Sequence, residues 1–406
     1  MGYIKHLLFI TILLTNLTIA QQWQNVGDQG FSDSKVEALS FAIANDGTPY
    51  VAYQDEQHSN KATVMKYDGS SWAIVGNSGF SEGEMAFSSI AVAKNGTPYV
   101  AYQDVENNYK ATVMKYNGSN WEPVGNLGFS NGYMSFTSLV IAESGTPYVA
   151  YQDGGHSYRA TVKKYNGSSW ENVGEAGFSA GNVYSLSLAI DKNETPYVAY
   201  RDQGNSNKAT VMKYDGSDWV NVGNAGFSVK DVNNTSIAID KNGIPYVAYK
   251  DAGHSYGATV KKYNGSSWED VGEAGFSSGK VAFTSLAIDS SGAPYVAYRD
   301  IANSDKATVM KYDGSDWVNV GQAGFSAGDA YYTSLAIAND GTPCVAYQDY
   351  GNGKKATVMS FGTNPLPVEL TTFNAVINNK LKHIELNWQT ATEVNNYGFE
   401  VERIAQ

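Results

Sequence analysis

Tryptophan recurs in this chain on a strict step. Trp23, Trp72, Trp121, Trp170, Trp219, Trp268 and Trp317 are each 49 residues apart, with no insertion or deletion between them. Pro49, Pro98, Pro147, Pro196, Pro245, Pro294 and Pro343 keep the same spacing. A repeat of this length marks a supersecondary unit stacked on copies of itself, as in a propeller or a solenoid. The first copy holds four strand-like runs: a, residues 40–43; b, 49–53; c, 62–67; and d, 72–75. They are short, β-branched and aromatic, and no helical period competes with them. Asn45-Asp46-Gly47 and Asp68-Gly69 supply the positive φ angles that tight hairpins need. Four antiparallel strands per repeat make one propeller blade. The chain is therefore expected to be all-β, with a seven-bladed β-propeller over residues 21–363 built from four-stranded antiparallel blades.

The two ends of the array predict how the ring closes. The first tryptophan, Trp23, belongs to a strand d that precedes any strand a, whereas the last copy supplies a, b and c around residues 334–361 and then Leu366 where the next tryptophan would fall. The N-terminal strand is expected to complete the last blade and remove an exposed sheet edge. The copies also match best two blades apart. Residues 208–228 and 306–326 differ only at Asn224 against Gln322, so recurrence of a residue reflects copying as readily as constraint.

Residues 1–20 read as a secretory signal peptide, with Lys5 and His6 ahead of an apolar run to Ala20. That run is too short and too interrupted by Asn16 to span a bilayer, which needs about 20 apolar residues. The expected location is outside the cell or on its surface after the leader is removed, with no transmembrane segment. A formal charge of −12 without any Lys/Arg stripe argues against a nucleic-acid partner. Cys344 is the one cysteine and stands where other copies carry Tyr, so no intrachain disulfide is possible and the thiol reads as a drifted core position.

The period stops at Asn364. Residues 364–406, with the run LPVELTTF…LNWQTATEVNNYGFEVER, resemble the opening of the fibronectin type III-like β-domain of secreted Bacteroidota proteins, where it precedes a type IX secretion sorting domain. The resemblance implies export across the outer membrane, and it marks the preceding array as the repeat propeller region of such a protein. The run stops partway through such a sandwich, so residues 364–406 are read as a linker and an incomplete domain, and the sequence as a fragment of a longer product.

In a propeller the b–c and d–a loops share one face and the a–b and c–d turns the other. Here the turns are short and uniform, while the b–c and d–a loops are longer and vary, as binding faces on rigid scaffolds do; drift of long loops explains the same variation. Strand b ends in an aspartate in every copy: Asp55, Asp104, Asp153, Asp202, Asp251, Asp300 and Asp349. These are expected to hold loop amides as structural turn residues rather than to form a cation-binding ring. Three residues on, His58, His156 and His254 alternate with Asn107, Asn205, Asn303 and Asn352, and Tyr109, Tyr158 and Tyr256 follow. Phe87, Phe136, Tyr184, Phe283, Tyr331 and Tyr332 fall near the start of strand a on the same face. A polar group beside an exposed ring suits a sugar, whose apolar face stacks while its hydroxyls are hydrogen-bonded. The candidate ligand-binding residues are therefore His58, Tyr109, His156, Tyr158, His254, Tyr256, Phe87, Phe136, Tyr331 and Tyr332. The competing role for the aromatic residues is to wedge blades together.

No metal or other cofactor is expected, because histidines on alternate blades are too far apart to share an ion. Asn117, Asn166 and Asn264 match the N-glycosylation pattern but read as c–d turns. The sequence contains no Ser-His-Asp pattern, phosphate loop or metal-ligand spacing, and near-identical blades place like residues around the ring. The expectation is a monomeric binding module for a glycan or a protein, multivalent through its loop face, and not an enzyme. The alternatives are a structural spacer of a larger adhesin and, less favoured, a polysaccharide-degrading enzyme. Exposure of Tyr109, Tyr158 and Tyr256 would count against the spacer.

Overall fold

A computed structural model describes residues 21–362 and the backbone of residues 368–378 and 383–393. The expected signal peptide and the segment joining propeller to C-terminal piece lie outside the described residues.

Residues Trp23–Phe361 form one compact unit. Blade 1 is the antiparallel sheet of strand a, Val36–Ile43; b, Pro49–Asp55; c, Lys61–Tyr67; and d, Trp72–Ile74. Blades 2 to 6 repeat this order, and blade 7 takes Gln22–Asn25 as its outer strand beside Lys355–Gly362. The protein is thus a seven-bladed β-propeller closed by its N-terminal strand. Strand a begins at Val36, ahead of the 40–43 run expected, because its pairing with strand b is broken by a bulge between Glu37 and Ser40 that hides the alternation.

Both sides of each blade are buried, and the core lies between blades. Val51 and Tyr53 pack on Ala346 and Val358 of blade 7, while Ala52, Ala62 and Val64 pack on Val100 and Tyr102 of blade 2. The period-2 alternation of strand b thus sets a large face against a small one, so that adjacent blades interlock. Cys344 takes a buried place in this core, and burial pushes its thiol up to about 12. Tyr53, Tyr102, Tyr151, Tyr200, Tyr249, Tyr298 and Tyr347 are almost fully buried, and burial raises their hydroxyl ionisation well above the ordinary range. Below about pH 10 both folded and unfolded chains keep these protons. Above it the unfolded chain ionises first, so stability is lost as pH rises. In an alkaline titration followed at 295 nm, these tyrosines should ionise only together with loss of the β-sheet circular dichroism signal. Reversible ionisation of all 29 tyrosines near pH 10 with the sheet signal intact would contradict the packing.

The blades are joined by two rings of contacts. On the outside, each tryptophan Nε1 donates to a carbonyl of the preceding blade's d segment at 2.6–2.7 Å, from Trp72 to Val26 round to Trp317 to Val271. Trp23 closes this ring on Val320. Each indole also stacks on a phenylalanine, with centroids 4.0–4.5 Å apart. A glycine lies against each indole; a Cβ on Gly76, whose φ is +74°, would come within 3.1 Å of Trp121. On the inside, serines of strand a accept from the next blade's strand a, as Ser89 Oγ does from Leu139 N at 3.0 Å.

The C-terminal piece is described as two strands, Val368–Asn378 and His383–Glu393, paired antiparallel with Phe373 opposite Trp388. The rest of the fibronectin-like stretch, residues 394–406, lies outside the described residues.

Candidate functional site

The b–c loop is built on its aspartate. In blade 4 the buried Asp202 accepts Gly204 N–H at 3.0 Å on Oδ1, and Asn205 Nδ2 and Thr210 Oγ1, each at 2.8 Å, on Oδ2. Thr210 Oγ1 in turn accepts Gly226 N–H, which ties down the d–a loop. Asp55, Asp104, Asp153, Asp251, Asp300 and Asp349 are buried alike, and each accepts the matching threonine hydroxyl. His58, His156 and His254 place Nδ1 2.8–2.9 Å from their own aspartates, where Asn107, Asn205, Asn303 and Asn352 place Nδ2. The histidines therefore stand apart, one per blade, in a hydrogen bond that asparagine makes equally well. Among the described residues no three His, Cys, Asp or Glu side chains cluster to hold a metal ion. Asn117, Asn166 and Asn264 accept the amides of the two residues that follow their glycines, as turn residues do.

After each 3-residue turn the chain takes a left-handed residue, and at Tyr109, Tyr158 and Tyr256 (φ 57–64°) this lifts a ring off the surface. These rings are 47, 46 and 42% exposed. Tyr133, in the loop between blades 2 and 3, is 41% exposed and joins Tyr109 to Tyr158, with centroids 5.8 and 6.5 Å away. Of the ten large apolar side chains exposed among the described residues, all but Ile74 and Val318 lie in the b–c loops, the d–a loops or the bulge at this face.

The bulge forms an inner ring. Ala38, Phe87, Phe136, Ser185, Asn234, Phe283 and Tyr332 occupy one repeat position and all have φ between 45 and 53°. Phe87, Phe136 and Tyr332 line a cavity of about 370 Å³ with Glu37 and Gln54 of blade 1 and Leu186 of blade 4. Phe87 meets Phe136 at 5.6 Å, and Phe283 meets Tyr331 and Tyr332 at 5.5 and 5.3 Å. Apart from Tyr256, which stands on blade 5 away from the other exposed tyrosines, the candidates fall into three groups: a tyrosine cluster on blades 2 and 3, an inner aromatic ring, and the separate His–Asp pairs.

A fourth group was not legible as a site in the sequence. The residue before the aspartate is Gln in blades 1, 2, 3 and 7, but Arg201, Lys250 and Arg299 in blades 4, 5 and 6. Arg201 lies 5.4 Å over the Tyr184 ring and bonds Asn233 Oδ1 of blade 5 at 3.3 Å. Arg299 lies 4.0 Å over Tyr331 of blade 7 and pairs with Asp305 at 2.9 Å. Lys250 and Lys280 both approach the Tyr256 ring, at 5.4 and 5.5 Å. Burial, then the charges of Lys280 and Arg299, holds the Lys250 ammonium below the usual lysine range. The signal available was one position breaking its repeat in three consecutive copies.

No protein-family model matches the chain, and no curated protein matches it in sequence. Its fold is similar to that of solved structures. An ulvan lyase from a new polysaccharide lyase family shares a TM-score of 0.55 at 14% identity, over 83% of this chain and 95% of that one. The same kind of enzyme bound to a glucuronate–sulfated rhamnose repeat gives 0.53 at 14% identity, over 80 and 94%. The polysaccharide lyase Uly1 gives 0.50 at 11% identity, over 82 and 90%. At these identities the likeness is one of fold. It overturns the expectation that the chain is not an enzyme. That exclusion assumed a ring of near-identical blades brings only like residues together, yet this fold carries polysaccharide lyases, and on blades 4 to 7 unlike residues, Tyr184, Arg201, Lys250, Arg299 and Tyr331, share one face. Among the described residues no helix is long and apolar enough to cross a membrane.

Proposed function

We propose that the propeller binds a carbohydrate on the face made by its b–c and d–a loops, outside the cell, to which residues 1–20 would direct it. One observation carries the reading: exposed aromatic rings are concentrated on that face, with Tyr109, Tyr133 and Tyr158 in one cluster. A buried ring would stabilise the fold; an exposed ring held up by a left-handed backbone residue does nothing for it. Flat faces of this kind suit the apolar face of a sugar, and several such clusters on one ring add avidity. A second reading, cleavage of a bound polysaccharide, is supported by the convergence of tyrosine and cationic side chains on blades 4 to 7 in a fold that carries lyases.

The test is a glycan array probed with the full chain and with Tyr109→Ala/Tyr133→Ala/Tyr158→Ala. Loss of at least tenfold in apparent affinity, about 1.4 kcal/mol, is expected for the triple variant. Sugars that bind are then incubated with the protein and followed at 235 nm, where the unsaturated product of a lyase absorbs. A blank array at high protein concentration overturns the carbohydrate reading.

A further inference from the structure

We infer that Arg201, Lys250 and Arg299 form an anion-recognition arc, and that the saccharide taken by this face carries carboxylate or sulfate groups. The inference rests on the carbohydrate reading above and names the class of sugar.

The repeat supplies its own control. Where the position is Gln, the side chain bridges to the neighbouring blade: Gln103 Nε2 donates to Met134 O, Gln152 to Val183 O and Gln348 to Val36 O. Glutamine therefore meets the structural need at this position, and it is buried in doing so. In three consecutive blades that contact is replaced by a half-buried cation. The exchange brings no comparable bridge from Lys250, and it leaves Arg201 Nε and Arg299 Nε buried without a partner. A buried, unpaired guanidinium donor is unfavourable to folding. Two such donors among cations on three consecutive blades, with Lys280 added from the next loop, are a feature that stability does not explain.

The surroundings fit an anion. Arg201 reaches the innermost strand of blade 5, and Arg299 that of blade 7, so the cations follow the inner rim of the ring. Tyr256, 42% exposed, lies beside Lys250 and Lys280 as a stacking face, while Tyr184 and Tyr331 are half-buried rings that lie under Arg201 and Arg299. The carboxylates nearby are largely committed or set in loops: Asp202, Asp251 and Asp300 are buried and accept threonine hydroxyls, Asp305 is held by Arg299, and Asp231 and Asp329 sit in the loops before strand a of blades 5 and 7. Guanidinium forks match planar carboxylate and sulfate oxygens in pairs, and they do so more strongly where water is partly excluded. A chain of net charge −12 that gathers a few cations beside tyrosine rings suits a sugar bearing isolated acidic groups better than a uniformly charged phosphate backbone.

The experiment uses the full chain with three polysaccharide probes: dextran sulfate, polygalacturonate and neutral dextran. The variant is Arg201→Gln/Lys250→Gln/Arg299→Gln, which installs the residue the other blades carry and should keep the wild-type Tm. Lys94→Gln/Lys241→Gln, in the a–b turns of the opposite face, controls for charge. Tight binding of either acidic probe, at least tenfold weaker in the arc variant and unchanged in the control, is the expected result. Acidic-probe binding that is unchanged in the arc variant overturns the arc and leaves the loop-face reading standing. Binding of neutral dextran alone overturns the acidic-sugar assignment only. Binding of none of the probes, after a blank array, removes both. Displacement of a bound acidic probe by a thymidine oligonucleotide at equal charge would overturn the saccharide assignment.

Discussion

Trp23→Ala should lower the unfolding free energy of the propeller by about 3–5 kcal/mol, the range for truncating a large aromatic in a packed site. Trp23 lies on the only strand that blade 7 does not draw from its own end of the chain. Its ring stacks on Phe325 at 4.0 Å, and its Nε1 donates to Val320 O at 2.7 Å, so one side chain joins blade 7 to blade 6 across the closure. Removing it also loosens the strand that covers Lys355–Gly362, exposing an edge open to pairing with another chain. Trp23→Phe keeps the stack and loses the hydrogen bond, for about 1 kcal/mol. Urea unfolding of Trp23→Ala beside Trp170→Ala, which makes the same contacts within continuous chain, is the check. Equal losses, with concentration-dependent association only in the first, are expected. A loss under 1 kcal/mol at Trp23 with a full loss at Trp170 would mean that the closing strand contributes little.

The second large effect is at the b–c aspartates. Asp202→Ala should destabilise the fold by about 3 kcal/mol, because hydrogen bonds to a charged acceptor contribute about 1.5–3 kcal/mol and three donors lose theirs, the buried Thr210 hydroxyl among them. Asp202→Asn, which retains one acceptor oxygen, should lose less. Since the carboxylate oxygens are already occupied by protein donors, millimolar calcium or EDTA should leave the Tm of the wild-type chain unchanged. A fall in Tm with EDTA, or an Asp202→Ala variant as stable as wild type, would return these residues to the role of a cation-binding ring.

The histidines show what a linear reading misses. His58, His156 and His254 look exceptional in sequence because they alternate with asparagine. In the folded loop both residue types present a ring or amide nitrogen to the same aspartate oxygen, so the alternation carries no change of contact. Tyr133 went unremarked for the opposite reason. It has no counterpart in other blades and becomes meaningful only when the ring places it between Tyr109 and Tyr158.

The sequence by itself determined the blade. Period, strand count, turn chemistry and the displaced N-terminal strand d are local or strictly periodic properties, and short β-branched runs punctuated by Asn-Gly and Asp-Gly admit one antiparallel solution. Tertiary structure decided the rest. The bulge that turns Phe87, Phe136 and Tyr332 into the inner ring breaks the period-2 pattern from which strands are read. Arg201, Lys250 and Arg299 are separated by 49 residues each and resemble ordinary ends of strand b. Only closure of seven blades about one axis brings them to a common rim, because a propeller converts equal spacing along the chain into adjacency around a circle.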